Sequence, residues 1–195
     1  MKKLIAVFIA LIFAYTGFTQ GHFRVHGGVV FNYLHSSGNS AEFNTLQSGY
    51  TFGLGYEMVA AKHFSVQPEL NFSHLTAMEK ITNSEIKFDY IQIPVLLKAV
   101  SNGRNFSFYL GPQLGFLTKA TLRMSGKSTD IKDDLTQTDF SGLVGIEYIF
   151  ASNITLNARF TQGISNVYKA TFDSPDKTRH KVFGITVGYL FKNKK

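Results

Sequence analysis

The feature that most constrains this chain is an alternation of apolar and polar residues at period two, which recurs eight times. The clearest example closes the sequence, where Lys181–Phe191 carries large apolar residues at every second position: Phe183, Ile185, Val187, Tyr189 and Phe191. Alternation at period two is typical of an extended strand with one apolar face. A single segment of this kind is weak evidence, but eight in succession predict an all-β domain.

The eight alternating segments set the bounds of the predicted strands. They are Phe23–Tyr33, Gln47–Ala60, Phe64–His74, Glu85–Val100, Asn105–Thr118, Asp139–Phe150, Asn153–Asn166 and Lys181–Phe191. In the fourth segment the apolar residues change from even to odd positions, with Pro94 beside the change. We expect a β-bulge there, because a bulge restores the register and tolerates a proline within a strand.

The connections between these segments alternate strictly between short and long. The short ones are Ala60–His63, Ser101–Arg104 and Ala151–Ser152, and the long polar ones are Leu34–Leu46, Leu75–Ser84, Lys119–Thr138 and Val167–Arg179. This asymmetry is typical of an outer-membrane barrel, which has short periplasmic turns and long external loops. The sequence therefore predicts an eight-stranded antiparallel up-and-down transmembrane β-barrel with both termini periplasmic. A soluble lipocalin-like barrel is the structural alternative, but it would place its apolar residues inside.

The first 19 residues have the pattern of a secretory signal peptide. Lys2 and Lys3 precede the apolar run Leu4–Tyr15, and small residues follow near Thr19. This run is too short for a comfortable helical membrane span. Cleavage after Thr19 would leave residues 20–195 as the barrel domain, and cleavage one residue later is the alternative.

The composition excludes several classes of protein. The chain has no Cys, so disulfides and thiolate metal sites are impossible. Only 17% of residues are charged, whereas 14% are aromatic, which does not suit a helical soluble domain. The net charge of +7 comes without a basic stripe that carries aromatic residues, so nucleic-acid binding is not expected.

Charged residues also occur on the polar faces of the predicted strands, which would face the lumen. They are Arg24, Glu57, Glu69, Glu147 and Arg159, with Lys87, Asp89 and Lys98 around the expected bulge. An unpaired ion away from water is very costly, and eight strands enclose only enough space for side chains. We therefore expect a paired network that fills the lumen, with a proton or ion path as the alternative. Glu69 and Arg159 should lie at similar height on facing strands and share hydrogen bonds.

The sequence does not favour a catalytic site. A lipid-acting enzyme of this fold needs a nucleophile, a base and an orienting carboxylate in contact. His35, Ser37 and Glu42 form the one compact set, and Ser73 with His74 is poorer because adjacent strand residues point to opposite faces. We expect a non-enzymatic protein, with an enzyme acting on lipid acyl groups as the alternative.

No metal or cofactor site is predicted. His22 and His26 share a strand face but are roughly 13 Å apart, too far to chelate one ion together. The acidic residues of the third long connection lie beside lysines and favour a solvated loop over a calcium site. They are Asp130, Asp133, Asp134 and Asp139.

The last strand carries a second signal. Gly188, Tyr189 and Phe191 follow an order that resembles the C-terminal sequence by which outer-membrane barrels are recognised for insertion, although Lys192–Lys195 follow it. The barrel-assembly machinery is therefore an expected partner. Two tyrosine girdles are expected at the lipid boundaries, Tyr33 and Tyr50 at one and Tyr148 and Tyr189 at the other.

At Asp89–Lys98 the sequence D-Y-I-Q-I-P-V-L-L-K resembles the PorT-like outer-membrane β-barrel family of Bacteroidota-type bacteria. The motif residues are Tyr90, Ile93, Pro94, Leu96, Leu97 and Lys98. Gly111–Leu117, Ala158–Asn166 and the final strand agree with the resemblance, which covers essentially the whole mature chain. It implies an eight-stranded outer-membrane barrel, in a family whose members mostly lack a known activity.

These observations predict a monomeric outer-membrane barrel surrounded by lipid. Its role would be structural, or would lie in surface interaction through the four long connections, whose partners the sequence does not identify. A soluble lipocalin-like carrier and a lipid-acting enzyme are the alternatives.

Overall fold

The computed structural model describes residues 21–36, 47–79, 84–124, 127–166 and 178–191. The predicted signal peptide, residues 1–19, and the tail Lys192–Lys195 lie outside the described residues. The strands are β1 (Gly21–Ser36), β2 (Gln47–Ala61), β3 (Phe64–Glu79), β4 (Ser84–Val100), β5 (Phe106–Met124), β6 (Lys127–Asp130), β7 (Thr138–Ile149), β8 (Ile154–Gly163) and β9 (Thr178–Phe191). One turn of 3₁₀ helix, Lys132–Asp134, follows β6.

Eight of these strands close into an antiparallel barrel. The hydrogen-bonded order is β4-β3-β2-β1-β9-β8-β7-β5, and β4 pairs with β5 to complete the circle. The last strand pairs with the first from Phe23 opposite Phe191 to Ser36 opposite Thr178. Short β6 pairs only with the end of β5, outside the ring, among the described strands. The predicted eight-stranded barrel is therefore confirmed, closed between the predicted first and last segments.

The outer surface of the barrel carries a belt of large apolar side chains. On β9 the predicted outward residues Phe183, Ile185, Val187, Tyr189 and Phe191 are 40–54% exposed. Equivalent residues on the other strands include Phe52 and Leu54, Leu70, Ile91 and Ile93, Phe106, Phe108 and Leu110, Val144 and Ile146, Leu156 and Phe160. A soluble lipocalin-like barrel has the opposite arrangement, so this alternative is wrong.

We call the end of the barrel with the three short connections the turn end, and the opposite end the loop end. Two non-glycine residues with positive φ, Arg104 and Asn153, occur in the tight turns of the turn end. At the loop end the predicted long connection Leu75–Ser84 is wrong. There β3 and β4 continue as a hairpin, pairing from Leu75 opposite Phe88 to Glu79 opposite Ser84. Much of Lys119–Thr138 is likewise ordered, as the end of β5, β6 and the 3₁₀ turn.

The expected bulge at Pro94 is also wrong. Even-numbered residues of β4 point inward along the whole strand, and the register with β3 is unbroken. The irregularity lies on β5 instead, where Leu117 pairs with Tyr90, Lys119 pairs with Asp89, and Thr118 is the extra residue. The Thr118 hydroxyl donates a hydrogen bond to the carbonyl oxygen of Asp89 over 2.9 Å.

The change of pattern in β4 has another physical cause, an apolar cluster inside the loop end of the barrel. We call it the upper cluster: Val30, Leu75, Ala77, Ile86, Phe88, Tyr90, Leu117, Ala120 and Leu135. A transmembrane strand needs only about 9–11 residues, so the upper halves of β3, β4 and β5 extend beyond the apolar belt. There water lies outside, and the apolar residues turn inward as in a soluble protein. No helix among the described residues is long and apolar enough to cross a membrane.

The belt predicts a depth-dependent cost for outward charge. Val187 lies midway along the apolar face of β9 and is 54% exposed, so Val187→Arg should reduce the free energy of unfolding in lipid vesicles by about 2–4 kcal/mol. The matched variant Thr121→Arg, on the outward face of β5 above the belt, should change it by only about 0.5 kcal/mol. Urea titration of both variants measures the difference, and equal costs would contradict the assignment of the belt.

Candidate functional site: the charged lumen

The inward residues of the turn-end half form a buried cluster of charges. Arg24, on β1, is 2% exposed and donates hydrogen bonds to Glu147 and, over 3.0 Å, to Glu57. Glu57 comes from β2 and Glu147 from β7, so the guanidinium joins carboxylates that reach it from two sides of the barrel. Both carboxylates are almost fully buried, and each therefore depends on protein donors in place of water.

Lys98 completes this cluster from β4. Its Nζ donates hydrogen bonds to Glu147 over 2.7 Å, to Glu57 over 3.1 Å and to the side-chain oxygen of Gln67 over 3.1 Å. An ammonium group has three donors, and all three are used. The sequence placed Lys98 beside a bulge, whereas the structure places it at the centre of the network. Lys98 has an even number, as Tyr90 does, and this shared parity along β4 could have indicated that its side chain points inward.

A second ion pair joins the strands that the sequence placed opposite each other. Arg159, on β8, donates through one terminal nitrogen to both carboxylate oxygens of Glu69, on β3, over 2.9 and 3.2 Å. Glu69 also accepts hydrogen bonds from Gln67 and Asn71. The predicted contact between Glu69 and Arg159 across the lumen is therefore present.

Gln67 links the two clusters into one network, since its oxygen accepts from Lys98 and its nitrogen donates to Glu69 over 2.7 Å. Arg24, Lys98 and Arg159 balance Glu57, Glu69 and Glu147, so the buried network has no formal net charge. Charges that cannot reach water are costly unless each has a partner of opposite sign.

Buried Tyr109 supports the second pair. Its hydroxyl donates to Asn157 over 2.8 Å and accepts from Arg159 over 3.3 Å. Gly145 makes room for this hydroxyl, because a Cβ at that position would lie 2.3 Å from it. Neither Tyr109 nor Gln67 is predicted from the sequence.

The lumen is closed differently at its two ends. At the turn end Arg104 donates to Glu57 over 3.3 Å and to the Ser65 hydroxyl over 2.9 Å, beneath an open vestibule of about 680 Å³. Towards the loop end a polar cavity of about 40 Å³ separates the network from the upper cluster. A cavity of this size holds roughly three water molecules.

A buried histidine fastens the upper cluster to the strands around it. His180, on β9, packs edge-on against Phe88 with ring centroids 5.2 Å apart. Its Nδ1 lies 3.0 Å from the Asn32 side-chain oxygen, and the Asn32 nitrogen donates to the Thr76 carbonyl over 3.2 Å. This chain of contacts joins β9, β1 and β3 above the polar cavity.

Several predicted inward residues lie elsewhere. The Lys87 and Asp89 side chains point outward on β4, where Asp89 pairs with His74 at 2.5 Å and Lys87 with Glu85 at 3.3 Å. The prediction that Lys87 and Asp89 face the lumen was wrong, because it assumed a bulge in β4 and β4 has none.

The family-motif residues are divided between the two faces of β4. Tyr90, Pro94, Leu96 and Lys98 point inward, whereas Ile93 and Leu97 are 41% and 40% exposed in the apolar belt. At the C-terminus Gly188 points inward, where a Cβ would lie 2.5 Å from the Val25 carbonyl oxygen, and Tyr189 and Phe191 point outward.

The candidate catalytic residues are not brought together among the described residues. Ser73 points inward and contacts Gln92 over 2.8 Å, whereas His74 points outward and pairs with Asp89. Ser37 and Glu42 lie outside the described residues, so the set with His35 is not observed. Within the described ranges no group of three or more His, Asp or Glu side chains could hold a metal ion.

Comparison with known proteins agrees with this architecture. Residues 15–169 match the family described as outer membrane protein beta-barrel domain, so the chain belongs to that family. It is an outer-membrane β-barrel protein. No curated protein matches the chain in sequence.

Two solved structures of small outer-membrane barrels are similar to this fold. Surface protein A of Neisseria, NspA, is 14% identical with a TM-score of 0.59, covering 86% of this chain and 96% of NspA. The attachment invasion locus protein Ail of Yersinia pestis is 16% identical with a TM-score of 0.55, covering 89% of this chain and all of Ail. At these identities the likeness establishes the fold alone.

The geometry of the network predicts a large cost for breaking the second pair. Glu69→Gln keeps the shape of the side chain but leaves Arg159 without a carboxylate, so it should lower the free energy of unfolding by about 3–5 kcal/mol. The control Glu85→Gln removes the partially exposed partner of Lys87 and should cost only about 0–1 kcal/mol. The double variant Glu69→Gln/Arg159→Met should cost less than the two single variants combined. Additive costs in urea unfolding would contradict a direct coupling between the two residues.

Proposed function

We propose that this protein is a non-enzymatic, monomeric barrel of the outer membrane whose role is structural or lies in surface interaction at its loop end. The observation that carries the proposal is the filled lumen. The charged network occupies the turn-end half and the upper cluster occupies the loop-end half, which leaves a cavity of only about 40 Å³ between them. An interior filled in this way favours a role at the surfaces of the barrel over conduction through it.

The ordered hairpins of the loop end supply a surface suited to such a role. The β3–β4 and β5–β6 hairpins rise beyond the apolar belt, and all four residues of β6 are exposed. Function in many proteins lies in loops held by a rigid scaffold. The connections at 37–46 and 167–177, outside the described residues, begin and end at this same rim.

A lipid-acting enzyme is the weaker candidate. Among the described residues Ser73 and His74 face opposite sides of the wall, so they cannot act as a nucleophile and its base. The proposal that the chain is not an enzyme rests on this separation.

We also place the chain in the PorT-like branch of the outer-membrane barrels. The motif Tyr-x-x-Ile-Pro-x-Leu-Leu-Lys supports this placement. The lysine at the end of the motif is Lys98, which donates three hydrogen bonds within the buried network. A role in secretion is not part of the proposal.

The proposed orientation places the turn end and both termini in the periplasm. Short turns at one end and longer connections at the other support it, as does the signal peptide that the sequence predicts at residues 1–19. An epitope tag inserted after Met124, between β5 and β6, should then be bound by antibody on intact cells. A tag in the turn at Lys62–His63 should be bound only after permeabilisation. The reverse labelling, or equal labelling of both tags, would refute the proposed surface role.

We further propose that Gly188, Tyr189 and Phe191 are read by the barrel-assembly machinery. Phe191 ends β9, where its ring lies 5.9 Å from that of Phe23 on β1. Phe191→Ala should leave export across the inner membrane intact but lower the folded amount in the outer membrane, measured by heat-modifiable gel mobility. Deletion of Lys192–Lys195 is the matched control and should do much less. If the deletion abolished assembly while Phe191→Ala assembled normally, the signal would have to lie in the tail.

A further inference from the structure

The outer face of β1, β9 and β8 carries a row of aromatic residues at the upper edge of the belt. Phe183 on β9 pairs with Phe31 on one side and with Phe160 on the other. The next outward row towards the loop end contains Lys181, which pairs with Tyr33 and Gln162. Arg179 follows on the same face of β9, because His180 and Val182 between these residues point into the barrel.

Lys181 and Arg179 have no carboxylate partner among the described residues. None of the ion pairs among the described residues includes Lys181 or Arg179, and the Arg179 Nε is shielded from solvent without a hydrogen-bond partner. Cations at the same end of the barrel on β4 and β5 are arranged differently. Lys87 pairs with Glu85 at 3.3 Å, and Arg123 lies opposite Glu85 in the register.

The position of the patch, directly above the apolar belt, determines which part of a lipid molecule can contact it. Directly below, Phe183, Phe31 and Phe160 belong to the face that acyl chains contact, so the headgroups of the same lipids lie level with Lys181 and Arg179. Guanidinium and ammonium groups bind phosphate oxygens through charge-assisted hydrogen bonds, and an arginine can do so with two parallel bonds. The Gln162 amide lies in the same row and is a further polar group for a headgroup.

We propose that this patch, Arg179, Lys181 and Gln162, binds the phosphorylated headgroup of a membrane lipid, with Arg179 and Lys181 as the phosphate ligands. The bound lipid places its acyl chains on the aromatic row beneath. This site goes beyond the proposed surface role. The proposed orientation assigns it to the outer leaflet, but binding itself does not depend on that orientation.

The test uses the whole folded protein in mixed micelles, titrated with dioleoylphosphatidic acid or dioleoylphosphatidylcholine and followed by native mass spectrometry. The wild type should retain phosphatidic acid in preference to phosphatidylcholine. Two cations at a membrane surface together change affinity by roughly thirtyfold, so Arg179→Gln/Lys181→Gln should weaken phosphatidic acid binding by about that factor.

The matched control is Lys87→Gln/Arg123→Gln, which removes the same charge from the same end of the barrel. It should retain binding within about twofold, and heat-modifiable gel mobility verifies that both double variants are folded. Equal binding of the two lipids by the wild type, or equal loss in the control, would overturn the site. Displacement of the lipid by millimolar inorganic phosphate would also overturn it, because the ligand would then be soluble phosphate.

Discussion

The structure depends on one constraint, which is that a strand edge in lipid has no partner for its backbone hydrogen bonds. The pairing of β9 with β1 removes the last edge and fixes the ring at eight strands. Closure at this size has a second consequence, because the interior is only wide enough for side chains. Polar residues excluded from the lipid face must therefore bind one another inside the barrel. Arg24 and Lys98 each donate a hydrogen bond to Glu57, over 3.0 and 3.1 Å.

Apolar residues of the barrel wall face outward within the belt but inward above it. Within the belt the apolar residues of β4, such as Ile91 and Ile93, point outward and Lys98 points inward. Above the belt Ile86 and Phe88 point inward and Lys87 points outward. The backbone of β4 does not change its alternation, but the medium outside it changes from hydrocarbon to water. The upper cluster is thus a small apolar core like that of a soluble protein, and it lies above a membrane segment whose interior is polar.

This change of medium explains which parts of the architecture the sequence could predict. Period-two patterns located all eight barrel strands, the lipid-facing residues of β9, and the pairing of Glu69 with Arg159, because each depends only on alternation and strand order. The same reasoning failed at β4, where it assumed that apolar residues face outward throughout and therefore required a bulge. Polar residues between Leu75 and Ser84 likewise predicted a loop, although outward polar residues are what a strand in water requires.

Two residues of the network were missed from the sequence for the same reason. Gln67 and Tyr109 are neutral, and their importance arises from contacts across the barrel, with Lys98 in one case and with Arg159 in the other. Alternation indicates that a residue points inward but not which side chains it meets there. The register of neighbouring strands and the room left by Gly145 determine those contacts, and neither can be obtained from one sequence.

The neutrality of the buried network has a consequence for how the protein responds to an electric field. Three cations and three carboxylates lie within the lumen, each tied to a partner on another strand. A potential across the membrane acts on net charge and on charges that can move. Opposing forces cancel within these six paired side chains, so the set exerts no net force on the wall in a uniform field. A change in membrane potential is therefore not expected to displace these six side chains.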